Sequence, residues 1–135
     1  MEKSIGVVGA DEKQTRELST LLQKWQYQVV SINSLSDLKQ YVQKSSFRAV
    51  MIDLDGLPIA KNYFRDLKEM DSSLNIMGLS SRSFHPELEE AISKHMYACL
   101  RKPVDTDELF YLLKSIYQND ALQKSVQTHE PWYYL

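Results

Sequence analysis

Short apolar runs alternate with stripes of apolar residues at helical spacing. The runs occupy positions 5–11, 27–32, 47–53, 75–79 and 97–101. Between them, Leu18, Leu21, Leu22 and Trp25 share one helical face, as do Leu35, Leu38, Tyr41 and Val42 behind a Ser34 or Ser36 cap. Ala60, Tyr63, Phe64 and Leu67 form a third stripe. Leu88, Ala91, Ile92 and His95 form a fourth, with Pro86 suited to its first turn. Leu109, Leu112, Leu113 and Ile116 form a fifth, opened by Asp105-Thr106-Asp107-Glu108, which reads as a capping box. Strands that alternate with helices predict an α/β fold with a parallel sheet covered on both faces. Five βα units predict the three-layer, flavodoxin-like sheet order 2-1-3-4-5.

Composition narrows the class. A chain of 135 residues with 43% hydrophobic and 25% charged positions is suited to one globular domain. The net charge is -2 and the basic residues form no stripe, which argues against direct nucleic-acid binding. The single cysteine, Cys99, excludes an internal disulfide. Its place in an apolar run predicts a buried, inert thiol. There is no signal-peptide pattern at the N-terminus and no apolar stretch of membrane-spanning length, so a cytoplasmic protein without a membrane partner is expected. Periodicity fades after 119. The expected organisation is a domain over 1–119 and a tail over 120–135 that ends Pro131-Trp132-Tyr133-Tyr134-Leu135 and is suited to docking or to extending the last helix.

Candidate chemistry clusters at run ends. Asp11 ends the first run and Asp53 the third, while Ser80 follows the fourth and Lys102-Pro103 the fifth. In an open parallel sheet the strand C-termini share one crevice, where ligands bind. Two carboxylates, a hydroxyl and an ammonium in one cleft suit a phosphoryl group on Asp53 beside a divalent cation.

From about 4 to 117 the chain resembles the receiver domain of bacterial two-component response regulators. The residues that carry the likeness are Asp53 at the end of the third strand, Ser80 at the end of the fourth, Lys102-Pro103 after the fifth, Asp11 after the first, and Arg16-Glu17-Leu18 in the first helix. The resemblance implies that Asp53 accepts a phosphoryl group from a histidine kinase or a phosphotransfer protein. It implies that Ser80 and Lys102 bind the phosphoryl oxygens. Mg²⁺ would sit on Asp11, Asp53 and the backbone carbonyl of Asp55. The family acts by switching contacts with a downstream protein, and its members often form homodimers; it is not a family of turnover enzymes. Repacking of 81–85 around Ser80 would carry the switch, with Arg82 and His85 in that loop. His85 reads as a cap or surface histidine, and His95 as a packed helix-end residue.

Three positions depart from the family pattern. Ala10 replaces its first acid, which predicts weakened Mg²⁺ binding that Glu12 or the Asp55 side chain would partly offset. Pro58 stands five residues after Asp53 where four is usual. Cys99 replaces an aromatic that often changes rotamer on activation, and Tyr97 is two positions out of register. Two rival readings follow. In one the chain is a pseudo-receiver, a phosphorylation-independent interaction module. In the other, Met51-Ile52-Asp53-Leu54-Asp55-Gly56 resembles the first motif of haloacid-dehalogenase-type phosphatases, with Asp53 as nucleophile and Asp55 as general acid/base.

Overall fold

The structure is a computed structural model that describes residues 4–44, 47–82 and 85–122. Five strands, β1 (Ser4–Val8), β2 (Gln28–Ile32), β3 (Ala49–Asp53), β4 (Asn75–Ser80) and β5 (Ala98–Arg101), pair in parallel in the order β2-β1-β3-β4-β5. Five helices connect and follow them: α1 (Glu12–Lys24), α2 (Leu35–Lys44), α3 (Tyr63–Met70), α4 (Glu89–His95) and α5 (Thr106–Leu122).

The alternating direction of strand side chains divides the core in two. Ile5, Val7, Ala49, Met51, Met77, Leu79, Ala98 and Leu100 face α1 and α5. Val8, Val50, Ile52 and Ile76 face the opposite way, against Leu38 and Val42 of α2, Phe64 and Leu67 of α3, and Ala91 of α4. Every residue of β3 is buried, as expected of a central strand covered by helices on both faces. Burying a side chain such as Phe64 or Leu67 contributes about 2 kcal/mol relative to leaving it in water.

Local signals explain several element ends. Ser34 caps α2, its hydroxyl accepting from Asp37 N–H at 3.0 Å, which decides between the two serines. Asp105 Oδ1 accepts from the Asp107 and Glu108 amides at 2.9 and 3.1 Å and starts α5. α1 closes through Gln26 at φ 73°, a left-handed position more often held by glycine.

Other boundaries differ from the sequence reading. β1 stops at Val8, and Asp11 belongs to the next element: it is the N-cap of α1, its carboxylate accepting from Gln14 N–H at 3.1 Å. Aspartate is a strong cap and a poor strand former, so the local preference prevails over the apolar run. α3 begins at Tyr63, leaving Ala60 exposed before it. Pro86 opens a 3-10 turn, Pro86–Leu88, and α4 proper starts at Glu89. Cys99 corrects another expectation. On the edge strand β5 side chains alternate buried and exposed, and Cys99 is exposed. α5 runs across the expected 119/120 boundary to Leu122, and the aromatic end of the tail lies outside the described residues.

Candidate functional site

Asp53 and Lys102 meet because of strand parity. Asp53 follows Met51 by two residues and Lys102 follows Leu100 by two, so both emerge on the α1/α5 side of the sheet rim. The ladder continues past the strand ends, with Leu54 N–H donating to Leu79 O at 2.8 Å and Lys102 N–H to Ser80 O at 2.9 Å. Lys102 Nζ then reaches both oxygens of Asp53, at 2.9 Å to Oδ1 and 2.8 Å to Oδ2. It also lies 2.9 Å from Asp55 Oδ2. Asp53 is 6% exposed.

Backbone amides complete the arrangement. Asp55 N–H donates to Asp53 Oδ1 at 2.9 Å, and Ser81 N–H donates to Asp55 Oδ2 at 2.9 Å. Gly56 allows this turn, having φ 81° and lying so close to Ala10 that a Cβ on it would come within 3.3 Å of the Ala10 Cβ. Gly9 leaves room at Asp53: a Cβ there would come 3.3 Å from the Asp53 Cβ and 2.9 Å from Thr15 Oγ1. A cleft of about 340 Å³ opens beside the pair, lined by Thr15, Leu18, Asp53, Lys102 and Val104 among others.

One ammonium thus serves two carboxylates. Partial burial pushes the Asp55 carboxyl up, but hydrogen bonds from Lys102 and Ser81 outweigh it and hold the group below its usual range. Desolvation pulls the Lys102 ammonium down, but its bonds to Asp53 and Asp55 outweigh that and raise it. The result is a tightly hydrogen-bonded rim in which one positive charge faces two negative ones.

The remaining predicted residues lie elsewhere on the rim. Ser80 has the opposite parity. Its hydroxyl accepts from Arg82 N–H at 2.9 Å, lies 3.1 Å from Arg82 O and is hydrogen-bonded to Nε2 of His85. It lines a second cavity, on the α4 side, with Arg82, His85 and Cys99. Asp11 is exposed and turned to its capping bond. Its carboxylate, the Asp53 carboxylate and the Asp55 carbonyl are hard oxygen donors of the kind Mg²⁺ takes. Among the described residues, no three His, Cys, Asp or Glu side chains are grouped to hold a metal ion, and Lys102 supplies the positive charge between Asp53 and Asp55.

Two participants were not legible in sequence. The Asp55 carboxylate was expected as a substitute for the acid missing at position 10 or, in the phosphatase reading, as general acid/base, and it is a direct partner of Lys102. His85 was read as a cap or surface residue. It is 6% exposed, makes no side-chain cap bond, and spends Nε2 on Ser80. Only its place five residues after Ser80 in the same loop hinted at this.

Comparison with known proteins agrees with this architecture. The model of the response regulator receiver domain matches residues 5–114, and the chain belongs to that family. The setting this defines is two-component signalling. Among solved structures, the signal receiver domain of an HD domain-containing protein from Pseudomonas fluorescens superposes with a TM-score of 0.78 at 18% identity, covering 90% of this chain and 99% of that one. The beryllofluoride-activated NtrC4 receiver domain dimer gives 0.76 at 20% identity, covering 87% and 98%. A response regulator from Burkholderia pseudomallei with a phosphorylated aspartic acid, calcium ion and citrate gives 0.73 at 15% identity, covering 95% and 76%. At these identities the likeness concerns the fold. No curated protein matches the sequence. Among the described residues, no helix is long and apolar enough to cross a membrane.

Proposed function

We propose that the domain accepts a phosphoryl group on Asp53, from a histidine kinase or a phosphotransfer protein, and thereby switches its contacts with a downstream protein. The observation that carries this reading is the bidentate contact of Lys102 Nζ with Asp53 at the rim of an open cleft. Asp55 N–H holds Oδ1 and orients the carboxylate, and Oδ2 is the attacking atom once Lys102 shifts from it to the incoming phosphoryl group. As the Oδ2–phosphorus bond forms, the phosphorus–donor bond breaks and the donor leaves with its electron pair. Lys102, already ionised, pairs with an equatorial phosphoryl oxygen as a point charge. Mg²⁺, held by Asp11, Asp53 and the Asp55 carbonyl, would supply the further positive charge that a dianionic donor requires. Ala10, in place of an acid, supports weakened binding of that ion.

The same alanine favours a second reading, in which Lys102 stays paired with Asp53 and Asp55 and the domain acts through contacts alone. Intact mass after incubation with Mg²⁺ and acetyl phosphate separates the two. The expected result is a gain of one phosphoryl group that Asp53→Ala abolishes, without steady turnover of para-nitrophenyl phosphate. An unchanged mass, together with amide NMR spectra that Mg²⁺ and beryllofluoride leave unmoved, would refute the phosphoacceptor reading.

A further inference from the structure

Ser80 and His85 are both buried, at 2% and 6% exposure, and they meet on the side of the sheet away from Lys102. A hydroxyl has one proton to give and two lone pairs. Arg82 N–H takes one lone pair, and the Arg82 carbonyl, 3.1 Å away, is placed to take the proton. Nε2 of His85 must then carry a hydrogen and donate it to the second lone pair. This assignment pairs all three groups. If Nε2 were bare, one Ser80 proton would have two acceptors and one of them would go without. The pair also has the parts of a serine nucleophile with its base. Against that, the Ser80 oxygen is saturated, and Glu87 Oε2 stands 3.9 Å from Nδ1, beyond hydrogen-bond reach.

Resting on the phosphoacceptor reading, we propose that His85 is a positioning residue that latches the Ser80 hydroxyl on the α4 side of the sheet. To bond a phosphoryl oxygen on Asp53 the hydroxyl must turn away from the α4 side and give up both the Arg82 carbonyl and His85, so the latch opposes occupancy of the site. A ligand at Asp53 binds more tightly when the state competent to receive it is more populated.

The test titrates Mg²⁺ and beryllofluoride, a phosphoryl mimic, into the wild type, His85→Ala and His85→Gln, each with and without Ser80→Ala. Amide NMR shifts at Asp55 and Ser81 report binding. Loss of one hydrogen bond predicts that His85→Ala binds roughly 3- to 10-fold more tightly. His85→Gln, whose amide nitrogen reaches near the Nε2 position, should restore the wild-type affinity. With Ser80→Ala, substitution at 85 should change nothing. Equal affinity in folded His85→Ala, or a gain that survives Ser80→Ala undiminished, would overturn the latch. Should His85→Ala fail to fold, the imidazole ¹⁵N spectrum decides: the Nε2 resonance must move between wild type and Ser80→Ala, and an unmoved resonance overturns the proposal. Absence of binding by every protein would overturn the phosphoacceptor reading and the latch together, whereas binding indifferent to residue 85 would overturn the latch alone.

Discussion

Replacing Lys102 with methionine tests the charge balance at the centre of the site. The substitution keeps the apolar stem and removes the ammonium from three contacts of 2.8–2.9 Å. Asp53, 6% exposed, is then left with the Asp55 amide, and the Asp55 carboxylate of like sign is close by. Removing one partner of a fully buried ion pair costs about 3–5 kcal/mol. Here the Lys102 and Asp55 side chains remain 16% and 26% exposed, so water relieves part of the penalty. We therefore expect the lower end, about 3 kcal/mol. With a urea slope of about 1.5 kcal/mol per molar, the unfolding midpoint at neutral pH should fall by about 2 M. Asp53→Asn leaves Lys102 paired with Asp55 and should cost less than about 1 kcal/mol. Because the loss in Lys102→Met comes from a stranded carboxylate, adding Asp53→Asn should recover most of it. Urea curves followed by far-UV circular dichroism measure all of this. A Lys102→Met midpoint equal to the wild type, or a loss that Asp53→Asn leaves in place, would refute the reasoning.

Asp55 has its folded-state pKa below the unfolded value, so its stabilisation is present above the unfolded carboxylate range and is lost as pH falls through the folded value. Asp55→Asn should therefore flatten the acid side of the stability curve, and urea midpoints at a series of pH values that fall as steeply as the wild type's would contradict this. Cys99 is exposed, while desolvation and then the Asp55 charge push its thiol up. Iodoacetamide should label the native protein without denaturant, more slowly than free cysteine at neutral pH and faster as pH rises; labelling that requires unfolding would show the thiol to be closed off. Tyr63 donates its phenol proton to the Leu35 carbonyl at 2.6 Å, tying α3 to the start of α2, and Tyr63→Phe should cost about 1 kcal/mol in urea unfolding.

The order of elements was legible because apolar periodicity is a local property. Alternating runs and stripes are enough to specify five parallel strands, and the two covered faces follow from helices long enough to bury them. Asp53, Ser80 and Lys102 were legible as strand-end residues, since topology alone carries strand ends to one rim. Boundaries set by a single capping choice were less so: Asp11 looked like the end of a strand and is the start of a helix. Cys99 looked buried because an apolar run does not reveal that alternate side chains of β5 stay exposed.

What only tertiary structure decided is where the polar atoms of the rim spend their hydrogen bonds. Parity places Asp53 with Lys102 and sends Ser80 to the other side, where His85 holds it. Lys102 is 49 positions from Asp53 in the chain, and its choice of partners depends on which acids the folded turn after β3 presents. Apolar periodicity is local and can be read from the chain. Hydrogen bonds need angles and distances that exist only once every strand and loop is in place.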